Sequence, residues 1–136
     1  MESNIIKSIA QELDCGFDCF YNIKTKEVIS IPNFGKMMDE DDFRDAFSAE
    51  LEKVNQSKKD FIKFEALESF ESFKIMERFV TTLTDKNIQL ELQRVLANKK
   101  PFENFNKIID HSEYRIDWFD FKKHELVKRV KTQLDL

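Results

Sequence analysis

The fold turns on the stretch Phe17-Asp18-Cys19-Phe20-Tyr21-Asn22-Ile23 and the shorter run Val28-Ile29-Ser30-Ile31 that follows it. Phe17, Cys19, Tyr21 and Ile23 occupy alternate positions, with Asp18, Phe20 and Asn22 between them, and the second run is β-branched and stops before Pro32. The pair predicts a hairpin through Lys24-Thr25-Lys26, a turn without glycine whose type and register the sequence leaves open. Because an isolated hairpin is marginal in water, a third strand is needed, and Asp60-Phe61-Ile62-Lys63-Phe64-Glu65 supplies one.

The remaining chain is written at helical spacing. Ile5, Ile9 and Leu13 form one stripe, capped by Ser3 or Asn4 and ended near Gly16. Beyond a loop through Pro32, Asn33 and Gly35, the acids Asp39 to Asp42 open a helix carrying Phe43, Phe47, Leu51 and Val54, where they meet the positive end of its dipole. Ser69 is the expected cap for Phe73, Met76, Val80 and Leu83, and Thr84 or Asp85 for Ile88, Leu92 and Val95, with Asn98 closing that helix. Pro101 suits a first turn, since its missing N–H costs nothing there, and turns Phe102, Phe105 and Ile109 inward. Ser112 is the expected cap of the last helix, whose apolar face passes from Tyr114, Trp118 and Phe121 to Val127, Val130 and Leu134, predicting a bend or break around His124. The expected class is α+β, predominantly helical: a small three-stranded antiparallel sheet at about 17–22, 27–31 and 60–65, with five to six helices, and with coverage of the second sheet face left open.

Composition sets further bounds. At 136 residues the chain reads as one domain, 1–136, long enough for a core without staples. Only two glycines and two prolines argue against an all-β fold with many tight turns, and fourteen phenylalanines point to a core dominated by rings. No run approaches a membrane span and Met1-Glu2-Ser3-Asn4 is not the start of a secretory signal, so the expectation is a cytoplasmic protein with no membrane partner. Cys15 and Cys19 lack the C-x-x-C spacing of a redox pair and read as reduced, structural residues, with a disulfide between them as the minor alternative.

A family resemblance rests on Leu67-Glu68-Ser69 with Phe73, Met76, Glu77, Phe79 and Val80, then Lys99-Lys100-Pro101-Phe102 and Phe105, then Trp118 and Phe121-Lys122. In that order and spacing the residues resemble the bacterial group catalogued as uncharacterised protein family 0158, best over 60–122, and the hairpin and the Asp39 helix fit its general layout. The resemblance implies a small bacterial α+β protein. It implies no activity, cofactor or catalytic residue. Family members tend to be more basic around Phe105, where this chain has Asn104 and Asn106.

No constellation specifies a chemistry. Cys15, Cys19, His111 and His124 are the residue types of a zinc site, but twelve residues intervene between the histidines where three to five are usual. Asp39 to Asp42 lack the glycine turn and the distal glutamate of a calcium loop, and two glycines make no phosphate-cradling loop. Asp117 and Asp120 share a helical face and read as solvated. Neither a metal nor a cofactor is implied.

Aromatic residues and lysines interleave at 99–102 and 118–123, the residue types of a nucleic-acid stacking platform, yet the whole chain carries a net charge of -4 with pI near 5.3. The helical spacing of Phe102, Phe105, Trp118 and Phe121 assigns those rings to the core and leaves Phe119 as the exposed aromatic. The expected function is therefore non-enzymatic: binding of a protein partner, or self-association, at the seam between the Pro101 helix and the last helix. Lys100, Arg115, Phe119, Lys122 and Lys123 edge that seam. Two alternatives stand beside it. One is sequence-tolerant nucleic-acid binding by the basic stretch Lys122, Lys123, Lys128, Arg129 and Lys131, opposed only by Glu125. The other is an unrecognised hydrolase using His111 or His124, which needs a hydroxyl, thiol or carboxylate in reach of a ring.

Overall fold

The computed structural model describes residues 3–32 and 40–134, with the backbone alone at 40–45. The loop at Asn33 and Gly35, Asp39, and the side chains of Asp41, Asp42 and Phe43 lie outside the described residues. The described elements run α1 (Ser3–Asp14), β1 (Phe17–Asn22), β2 (Val28–Pro32), α2 (Glu40–Gln56), β3 (Phe61–Phe64), α3 (Ser69–Thr82), α4 (Lys86–Leu96), α5 (Pro101–Asp110) and α6 (Arg115–Leu134). The chain is a predominantly helical α+β protein with one antiparallel sheet in the order β2-β1-β3. It forms two compact units, residues 1–67 with 126–136 and residues 68–125.

In the first unit the pleat sorts the side chains. Cys19 pairs with Ser30 and Phe64, and Tyr21 with Val28 and Ile62, so these share one face; Phe20 pairs with Ile29 and Lys63 on the other. Cys19, Tyr21 and Phe64 pack with Ile6, Ile9, Ala10 and Leu13 of α1 and with Leu126 and Val130 of α6. On the opposite face Ile29 and Ile31 pack with Val54 of α2, and Phe20, Phe47, Leu51 and Phe61 extend that cluster. The sheet is thus covered on both faces, which settles what the sequence left open. Both alternating sets are apolar: Phe20 belongs to the second face, and the runs Val28–Ile31 and Phe61–Phe64 supply residues to each.

The glycine-free turn forms because Asn22 substitutes for special backbone freedom. Its buried Oδ1 accepts from Lys24 N at 2.9 Å and Thr25 N at 3.0 Å, and Lys26 takes the left-handed conformation at φ 65°. Gly16 does need its freedom: it ends α1 at φ +90°. Asp18 Oδ1 accepts from Ala66 N at 2.8 Å, fixing the exit of β3, and Gln133 Nε2 donates to Lys63 O on that edge strand.

The second unit is helical, and two local expectations about its helix ends, at Ser69 and Ser112, need revision. Glu68, not Ser69, caps α3, in a reciprocal box with Glu71, whose Oε1 accepts from Glu68 N at 3.2 Å. Of Thr84 and Asp85 the cap of α4 is Asp85, whose carboxylate accepts from Asn87 N and Ile88 N. That helix ends at Leu96, and Asn98 closes it as expected, its Nδ2 donating to Arg94 O and its N–H to Val95 O. Ser112 stands before α6 rather than capping it; its Oγ donates to Ile109 O at 2.8 Å and accepts from Tyr114 N at 3.1 Å, tying off α5. Pro101 occupies the first turn of α5 as expected, after Lys100 in the left-handed region at φ 51°.

Of the bend or break expected near His124, no break occurs: α6 is one helix from Arg115 to Leu134. Its apolar face shifts for another reason. Trp118 packs in the second unit, against Phe79 and Phe105, whereas Leu126 and Val130 belong to the core of the first. Two cores ask for two faces of one unbroken helix.

Candidate functional surface

Ring packing in the second unit decides which aromatic residues are left for contact. Trp118 meets Phe105 with ring centroids 5.0 Å apart at 70° and Phe79 at 5.2 Å, and Phe79 also meets Phe121 at 5.4 Å. Phe105 and Trp118 are buried, and Phe102 reaches Phe73 edge-on at 6.3 Å. Offset and edge-to-face pairs of this kind favour one arrangement of the rings over others. Phe102, Phe105, Trp118 and Phe121 are therefore held in ring-to-ring contacts.

The ring next to Trp118 in the chain faces solvent instead. Phe119 is 44% exposed, and Ile116, one turn earlier on α6, is 72% exposed. The sequence reading did not single out Ile116. Its signal was present: it lies off the Tyr114–Trp118–Phe121 stripe and three residues before Phe119, which places the two side by side on a helix.

Cations frame this apolar pair. The Arg115 guanidinium lies 5.3 Å from the Phe119 ring centroid, and Lys122 Nζ lies 5.6 Å from the same ring and 5.5 Å from that of Trp118. Each such contact at an exposed site contributes about 0.5–1 kcal/mol, enough to bias a rotamer. Arg115 also approaches Asp110 Oδ1 at 3.7 Å, an exposed pair that holds the side chain loosely. Lys123 is exposed a turn beyond Phe119.

Of the five expected contact residues, α6 thus carries Arg115, Phe119, Lys122 and Lys123 within two and a half turns. Lys100 is exposed at the start of α5, and its left-handed backbone serves the turn into Pro101. Asn104, where the resemblance led us to expect a more basic neighbourhood, donates from Nδ2 to Lys99 O at 3.1 Å and so supports that same turn.

The other polar groups raised by the sequence lie as follows. His111 Nδ1 sits 2.8 Å from Lys107 O on an exposed surface, and His124 is exposed. Cys15 is exposed; Cys19 is buried with Sγ 3.7 Å from Ser30 Oγ, and burial pushes its thiol up to about 11. Asp117 and Asp120 are both exposed. Among the described residues no three His, Cys, Asp or Glu side chains gather as metal ligands would, and no helix is long and apolar enough to cross a membrane.

Fold and surface together define a small α+β protein that presents a framed apolar pair on its last helix. The chain belongs to the uncharacterised protein family UPF0158, whose model matches residues 3–135. No curated protein and no solved structure matches it.

Proposed function

We propose that this is a non-enzymatic cytoplasmic protein that binds a protein partner, or a second copy of itself, through the Ile116–Phe119 face of α6. The observation that carries the reading is the exposure of two large apolar side chains one turn apart, framed by Arg115, Lys122 and Lys123. Burying such a pair against a partner removes apolar surface from water, and the surrounding cations supply orientation and selectivity for acidic groups. An exposed aromatic with neighbouring arginine is also the composition favoured at contact hot spots.

The test compares the full chain with Phe119→Asp, by sedimentation velocity for self-association and by affinity purification from the native host. The proposal expects a dimer, or a specific co-purifying protein, that is lost with Phe119→Asp while the circular dichroism spectrum is unchanged. A monomer whose retained proteins are identical for both chains would overturn it. Retained nucleic acid, displaced by salt as phosphate contacts are, would replace it with the nucleic-acid reading.

A further inference from the structure

A second feature of the helical unit lies apart in sequence from the α6 surface. Helices α3 and α4 flank an open cleft of about 320 Å³ lined by Phe73, Glu77, Val80, Thr81, Gln93, Leu96 and Ala97. That volume falls at the lower end of the range of small-ligand sites. The lining follows from helical spacing: Phe73, Glu77 and Thr81 recur every fourth residue on α3, and Gln93 and Ala97 do the same at the end of α4.

The walls are held in place before any ligand arrives. Gln89 Nε2 on α4 donates to Val80 O near the end of α3 at 2.9 Å, and Asp85 caps α4 immediately after the connection. Phe73 is braced edge-on by Phe102, and Val80 is buried. The apolar wall is therefore preorganised, and the ordering left for binding is that of the exposed Glu77 and Gln93 side chains.

Polarity in the cleft is one-sided. Phe73, Val80, Leu96 and Ala97 are apolar, and the Thr81 hydroxyl is committed to Arg78 O at 2.6 Å. Among the described residues the Glu77 carboxylate and the Gln93 carboxamide have no hydrogen-bond or ion-pair partner. The neighbouring cation Arg78 does not serve Glu77, because its Nε and Nη2 are engaged by Glu125 at 3.3 and 3.2 Å. The cleft thus combines an apolar wall with one carboxylate and one amide oxygen, and no cation lines it.

We propose that the α3/α4 cleft binds a singly charged aliphatic amine, its alkyl chain against Phe73, Val80 and Leu96 and its ammonium on Glu77 and Gln93. A carboxylate ligand would meet Glu77 as a like charge. A neutral alkyl chain would leave Glu77 unused.

The test titrates hexylammonium chloride into the uniformly labelled full chain, with hexanol and hexanoate as controls, and follows backbone amides by heteronuclear NMR. The expected result is saturable shifts confined to residues 73–81 and 93–97. Hexylammonium should bind on the order of three- to fivefold more tightly than hexanol, as suits a partly exposed charge pair, and hexanoate should not bind. Glu77→Gln, an exposed substitution, should erase the preference over hexanol, and Ala97→Leu should weaken both by filling the cleft. Equal affinity for hexanol and hexylammonium in the parent chain, or shifts spread outside the two segments, would overturn the proposal. So would binding of a lysine-containing peptide without binding of the free amine.

Discussion

Phe105 and Trp118 meet nearly edge to face, 5.0 Å between centroids, with both side chains buried. The contact joins α5 to α6, and the turn that makes it possible is fixed at Ser112. Because Trp118 also touches Phe79, one indole links three helices of the second unit.

Truncating Phe105 to alanine is therefore expected to cost about 3–5 kcal/mol of unfolding free energy. Replacing Trp118 by leucine, Phe105 by leucine, and both together should give a coupling of about 0.5–1.5 kcal/mol beyond the loss of area. Urea denaturation followed by far-ultraviolet circular dichroism measures all three variants, and additive single changes would show that the ring geometry contributes nothing of its own.

Helix starts offer a sharper contrast. Asp85→Ala should cost about 1 kcal/mol because two backbone N–H groups lose their acceptor, whereas Asp85→Asn should be nearly neutral. Ser69→Ala should change stability by less than about 0.5 kcal/mol, since Glu68 and not Ser69 closes the start of α3. Thermal melts of these three proteins check the assignment, and a larger loss at Ser69 than at Asp85 would reverse it.

Gly16 separates backbone cost from packing cost. At φ +90° an added Cβ meets nothing within 4 Å, so Gly16→Ala is expected to lose about 1–2 kcal/mol through backbone strain alone. Gly16→Asn should lose less, because asparagine tolerates the left-handed region better. Equal losses for the two would place the cost elsewhere.

The Cys19 thiol gives a pH dependence with a definite sign. Burial raises it from 9.0 to about 11, with the Ser30 hydrogen bond opposing and Glu12 and Asp18 adding to the rise. The unfolded chain therefore releases this proton first as pH rises. The contribution is intact below pH 9.0 and is lost progressively between there and about 11, on the order of 2–3 kcal/mol in all. Cys19→Ala should flatten the fall of stability over that window when compared with the parent chain, and parallel curves would show that other groups carry the alkaline loss.

The surface variant completes the set. Phe119→Ala should shift stability by no more than about 1 kcal/mol, the sum of a small exposed-site effect and lost cation contacts. Its effect belongs in association, where it should weaken any partner or dimer at least tenfold, as expected of a contact hot spot worth more than about 1.4 kcal/mol. Isothermal titration against the purified partner, or sedimentation of the chain alone, reads the difference.

Sequence alone placed the three strands and the helical stripes, because side-chain period is a local property: two residues per repeat for Phe17 to Ile23, and 3.6 for Phe73 to Leu83. It also separated Phe119 from Trp118, which are neighbours in the chain and face differently on a helix. Which of several adjacent polar residues caps a helix was decided by geometry, since Glu68 and Ser69, or Thr84 and Asp85, offer similar chemistry a residue apart. Only the tertiary structure decided that α2 covers the second face of the sheet and that α6 runs unbroken past His124. A period states which residues share a face, and what comes to lie against that face depends on contacts between segments far apart in the chain.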